Sequence, residues 1–92
     1  CFMLVRRQAI DEVGKFDERF FMYAEEVDWC LRFAAKGWQV WYTPRGTITH
    51  FGGISAATAP AEMRLEWQRS LLMFLKKHHG PPYVAACRAL LA

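Results

Sequence analysis

Much of what usually identifies a small protein is missing from these 92 residues. The longest strong apolar run, Leu71 to Leu75, is far shorter than the roughly 18 residues a membrane-crossing helix needs. The first thirty residues carry no basic segment followed by an apolar one, so no secretory leader is legible. Cysteine is sparse and odd in number: Cys1, Cys30 and Cys87 lie far apart with no CxxC pair. That excludes a disulfide framework or a zinc ribbon and leads us to expect a reduced, cytoplasmic setting. A concentrated basic face is also missing. The net charge is only +3, and most of the arginines are dispersed, which sets nucleic acid aside as a partner. No internal repeat or low-complexity tract occurs. The sequence opens on Cys1 rather than methionine, and we expect a piece of a longer protein that begins inside a strand.

Apolar and aromatic residues are abundant. They make up 53% of the chain, with seven Phe, four Trp and three Tyr. This excludes a disordered or collagen-like chain. The length allows one domain at most, with a thin core. Aromatic content this high suggests apolar surface meant for something outside the segment.

Hydropathy patterning gives the expected elements. Residues Cys1 to Val5 suit a buried strand. Arg7 to Val13 can make two helical turns ending at Gly14. Phe16 to Phe21 reads as a turn capped by Asp17. The clearest helix spans Glu25 to Lys36, with Val27, Cys30, Leu31 and Ala34 as its apolar stripe and Gly37 as its stop. Trp38 to Thr43 and Thr47 to Phe51 have strand composition, closed by Pro44 in the first case. Gly52-Gly53 and Ser55 to Ala59 read as a loop. A second long helix runs from Pro60, suited to a first helical position, to His79. Gly80-Pro81-Pro82 ends it, and Tyr83 to Ala92 starts another helical segment. The expected fold class is α/β, with two long helices and two or three short strands.

Two features carry chemistry. The first is Glu25-Glu26-Val27-Asp28, three carboxylates in one turn at a helix start. The helix dipole favours acidic residues there, so a purely structural role is open. So is a general base, which must be ionised and oriented. Glu26 and Asp28 are two residues apart, and on a helix they point about 200° apart, so they cannot easily chelate one ion. The second feature is His50, ahead of Phe51-Gly52-Gly53. It is either a hydrogen-bonded strand end or a metal ligand. His78 and His79, among lysines near a helix C-terminus, read as a solvated capping end. Trp29, one turn beyond Glu25, could line a site, while the remaining tryptophans read as core or interface.

Taken in order, Phe2-Met3-Leu4-Val5-Arg6-Arg7, then Glu12 to Arg32 (EVGKFDERFFMYAEEVDWCLR), then Gly37-Trp38 and Thr49-His50-Phe51-Gly52-Gly53, closely resemble the acceptor-side half of family-two glycosyltransferases. The relevant members are rhamnosyl- and galactofuranosyl-transferase-like enzymes of the GT-A, Rossmann-like fold. The resemblance implies that residues 1–79 are the C-terminal half of a catalytic domain and that 80–92 begin a further helical segment.

It also implies an activity: transfer of a sugar from a nucleotide-diphosphate donor to a glycan or lipid-linked acceptor hydroxyl, with inversion. Glu26 then stands where the family carries its base, more often an Asp. His50 matches a ligand to the divalent cation, Mg²⁺ or Mn²⁺, on the donor diphosphate of the full enzyme. Glu25, Asp28 and Arg32 would support the helix and its carboxylates. Trp29, Gly52 and Gly53 would lie against sugar or acceptor. The segment alone, without a nucleotide-binding half, is expected to bind no metal and to be inactive. A contrasting reading is a non-catalytic interaction module that associates with itself through exposed aromatics. Tyr83 to Ala92, with Lys76-Lys77 before it, could lead into a membrane-associating helix of the full protein, at the inner face of a membrane, but is too short to decide this.

Overall fold

The computed structural model describes residues 2–53, 57 and 59–91. Four helices follow in order: α1 (Arg7–Val13), α2 (Glu25–Ala35), α3 (Pro60–His78) and α4 (Pro81–Leu91). The helix limits fall close to those expected, because their stop signals are local. α1 closes where the Gly14 N–H reaches the Ile10 carbonyl at 2.7 Å. α2 closes with the Gly37 N–H on the Ala34 carbonyl and the Trp38 N–H on the Phe33 carbonyl, both 3.0 Å. This is the paired hydrogen-bond pattern of a left-handed glycine stop, and Gly37 has φ +83°. Pro60 opens α3. The expected loop over Ser55 to Ala59 falls largely outside the described residues.

The expected α/β class is not what the chain forms: among the described residues there is no strand. Residues 2–5, ahead of α1, and the two other segments expected as strands, Trp38 to Thr43 and Thr47 to Phe51, have no regular secondary structure. Strand composition reports fit to a pleated, half-buried surface, and a strand exists only where a second one completes its ladder. No described segment does so here. Every residue from Gln39 to Gly53 is exposed, Trp41 at 80% and Tyr42 at 90%.

The core is small. Ala9 of α1 packs with Trp29 and Phe33 of α2, joined by Val5, Ile10, Val13 and Trp38. α3 packs on α4. The radius of gyration is 15.2 Å, against about 12 Å for a compact domain of this length, so much apolar surface faces solvent. Among the described residues no helix is long and apolar enough to cross a membrane.

The apolar stripe expected on α2 is not its inner face. Val27 and Leu31 are exposed, whereas Asp28, Trp29 and Phe33 are buried. The larger aromatic pair wins the apolar contact, and Asp28 is drawn inward by the cations around it.

Candidate functional site

A charged knot organises the acidic start of α2. Asp28 is fully buried. Its Oδ2 accepts a hydrogen bond from Arg32 Nε at 2.9 Å. Its Oδ1 meets Lys77 Nζ and His78 Nε2, each at 2.7 Å. Burial pushes this carboxyl up, but hydrogen bonds from Lys77, His78 and Arg32 outweigh it and hold the group below its ordinary value.

The knot reaches outward from Asp28. Lys77 also holds Asp17 Oδ2 at 2.7 Å and lies 5.7 Å from the centre of the Phe20 ring. Arg19 grips Asp17 with Nη2 at 2.6 Å. The hydrogen bond from Arg19, followed by that from Lys77, drives the Asp17 carboxyl far below the usual carboxylate range. Arg32 additionally donates to the carbonyls of Val13 at 3.1 Å and Lys15 at 2.7 Å. One carboxylate thus ties α2 to the end of α3 and, through Arg32, to the turn after α1.

Between Asp17 and α2 the backbone is strained. Tyr23 and Ala24 have φ +70° and +66°, a region that costs non-glycine residues about 1–3 kcal/mol each. The turn persists because its neighbours hold it. Ser70, buried on α3, donates its hydroxyl hydrogen to the Met22 carbonyl at 2.6 Å, Phe20 is buried, and the Asp28 N–H returns to the Ala24 carbonyl at 2.9 Å. Ala24 offers no side-chain cap, so the N-terminus of α2 is left to its own acidic residues.

Those residues meet different environments. Glu26 is exposed, at the helix end where positive partial charge favours a carboxylate. Glu25 is half-buried, and its Oε2 is buried with no hydrogen-bond partner among the described residues. Glu26 and Asp28, two positions apart, lie one outside and one inside. Burial and then the Glu26 charge push the Cys30 thiol up, so Cys30 is a poor nucleophile.

Trp29 belongs to the core. It contacts Phe16 and Phe33 with ring centroids 4.3 and 4.8 Å away, and its indole N–H donates to the Gly14 carbonyl at 2.8 Å. What it gives the acidic turn is position. His50, Gly52 and Gly53 lie together on the exposed segment, where the Gly52 N–H meets the His50 carbonyl at 3.1 Å. The structure does not join them to the acidic turn. Among the described residues no group of three or more His, Cys, Asp or Glu could hold a metal. We route no step through a divalent cation.

Two members of the knot were hidden in sequence. His78 is not a solvated cap: its Nε2 is on Asp28 and its ring lies 4.9 Å from Phe74. Lys77 is not free charge either. The signal was present in spacing, since Ser70, Phe74 and Lys77 follow i, i+4, i+7 and so share one helical face.

Over 78 residues, 85% of this chain, the sequence is 39% identical to the N-acetylglucosaminyl-diphospho-decaprenol L-rhamnosyltransferase of Mycobacterium tuberculosis, in both strains CDC 1551 / Oshkosh and H37Rv. Over 50 residues, 54% of the chain, it is 40% identical to Rhamnosyltransferase WbbL of Escherichia coli K12. Its homologues are rhamnosyltransferases. The chain spans about a quarter of the length of the mycobacterial relatives, at 25%, and 19% of the other. No family model matches the chain, and no solved structure matches it.

Proposed function

We propose that this chain is the acceptor-side part of an inverting family-two glycosyltransferase, with Glu26 as the catalytic base. In this reading Glu26 takes the proton of an acceptor hydroxyl as that oxygen attacks the anomeric carbon of a nucleotide-diphosphate sugar. The bond from that carbon to the diphosphate breaks, the nucleoside diphosphate leaves, and the new glycosidic bond has inverted configuration. Similarity to the mycobacterial enzyme suggests a lipid-linked acceptor and a rhamnosyl donor.

The observation that carries the reading is the arrangement of the α2 start. A buried, triply held Asp28 fixes the helix, a strained turn delivers it, and Glu26 is left exposed at its end. Strain of this kind persists where neighbours over-determine it, and it clusters at functional sites. Asp28 and Arg32 act as positioning residues, and Trp29 sets the height of the turn from within the core.

The test is Glu26→Gln in the full-length enzyme that carries this segment. Loss of a general base costs about 10²–10⁴-fold, and the loss should fall on kcat, with folding unchanged. Near-normal turnover would remove Glu26 as the base. A second reading, self-association through the exposed Trp41, Tyr42 and Phe51, is favoured by their high exposure. Sedimentation of the chain decides it, and a monomer at all accessible concentrations refutes it.

A further inference from the structure

Two open grooves lie along α3 and α4. One, of about 490 Å³, is lined by Arg19, Arg69, Leu72, Met73, Lys76 and Lys77. The other, of about 350 Å³, is lined by Lys76, His79, Val84 and Arg88 among others. Lys76 borders both, so the grooves are neighbours along α3 and onto α4, and we treat the two together as one trough. No acidic side chain lines either groove. Three of the lining cations are already paired: Arg19 with Asp17, Lys77 with Asp17 and Asp28, and Arg69 with Glu66 at 3.7 Å. Lys76, His79 and Arg88 make no ion pair with any described residue.

Cations above an apolar floor of Leu72, Met73 and Val84 ask for a ligand with the same two parts. A free anion would leave the floor wet, and a neutral lipid would leave Lys76 and Arg88 unpaired. We propose that this trough binds the phosphate-bearing head of a lipid-linked diphosphate, with the first carbons of its chain on the apolar floor. The proposal rests on the transferase reading in identifying that lipid with the acceptor. It adds a place for it: Lys77 lines the trough and holds Asp28, so the lipid site and the helix bearing Glu26 share one residue.

The test is binding of the full-length protein to phosphatidylcholine vesicles with and without polyprenyl diphosphate, read by flotation. The wild type should bind only the doped vesicles. Each neutralised cation beside an anionic lipid loses about 1 kcal/mol, or roughly fivefold. The Lys76→Gln/Arg88→Gln double variant should therefore bind about 30-fold more weakly, with Lys76→Arg unchanged. Lys36→Gln/Arg45→Gln, the same change of charge at exposed positions off the trough, should stay within about twofold. Soluble pyrophosphate, measured by calorimetry, should bind far more weakly than the doped vesicles. Equal binding to plain and doped vesicles, equal loss in the two double variants, or pyrophosphate binding as tight as the lipid would each overturn the proposal. Binding is read without turnover, so Glu26→Gln should bind vesicles normally. Lost transfer with intact binding bears on the base, and lost selectivity with intact transfer bears on the trough.

Discussion

Asp28→Asn should be among the most damaging single changes in this chain. Asn keeps the shape of Asp but carries no charge, and its one amide oxygen can replace only one of the two carboxylate oxygens, so either Arg32 or the Lys77 and His78 pair is left facing an NH₂ donor. Removing one partner of a buried ionic cluster costs about 3–5 kcal/mol. Here the partners soften the loss: Arg32, Lys77 and His78 side chains retain 23%, 24% and 19% exposure, so water reaches them. Arg32 also keeps two carbonyls and Lys77 keeps Asp17. The low end, about 3 kcal/mol, is expected. Against the roughly 5–15 kcal/mol that a whole domain has, that is a large share. Urea unfolding of the wild type and variant, followed by circular dichroism, gives the difference. Native-state hydrogen exchange gives its place, and protection should fall first at the amides opening α2. A cost below about 1 kcal/mol, the range of a surface pair, would refute the claim that Asp28 fixes this helix.

Acid should weaken the same contacts. Asp17 and Asp28 are both held below their ordinary values, so the unfolded chain binds more protons than the folded one as pH falls. Their contribution is complete above about pH 5, where the unfolded carboxylates are ionised, and is lost as pH drops toward the folded values. Asp28→Asn should flatten the acid limb of stability against pH, and an unchanged slope would deny the link. Ser70→Ala leaves the carbonyl of half-buried Met22 without its hydroxyl donor and should cost about 1 kcal/mol, read by the same urea titration; no change would mean that Ser70 does not brace the turn. Gly37→Ala meets open space but keeps φ +83°, so it should lose about 1–2 kcal/mol through backbone strain alone. A stabilised variant would show that α2 can end another way.

Helix ends were legible because their signals are local: Gly14, Gly37 and Pro60 each act within a few residues. The acidic turn was legible for the same reason. Strands were not, because strand character at Trp38 to Thr43 depends on a partner that composition does not reveal. The inner face of α2 was misread for a related reason. An apolar stripe counts Val27 and Leu31 as inward, yet a charged residue goes inside when donors meet it there. Those donors, Lys77 and His78, lie some fifty positions away, beyond the reach of any periodicity. Their spacing from Ser70 was the available clue.

The chain fastens α2 with a charge rather than with more hydrophobic contact, and geometry suggests why. Apolar packing is non-directional, so Trp29 and Phe33 alone set the angle of a short helix less sharply than a hydrogen-bonded charge does. A carboxylate held by three donors at 2.7 to 2.9 Å tolerates little rotation. Each residue turns a helix by about 100°. Fixing Asp28 inward therefore fixes Glu26, two positions earlier, about 200° away and outward. The buried carboxylate determines where the exposed one points, and the strained turn at Tyr23 and Ala24 is the backbone cost of starting the helix at that angle.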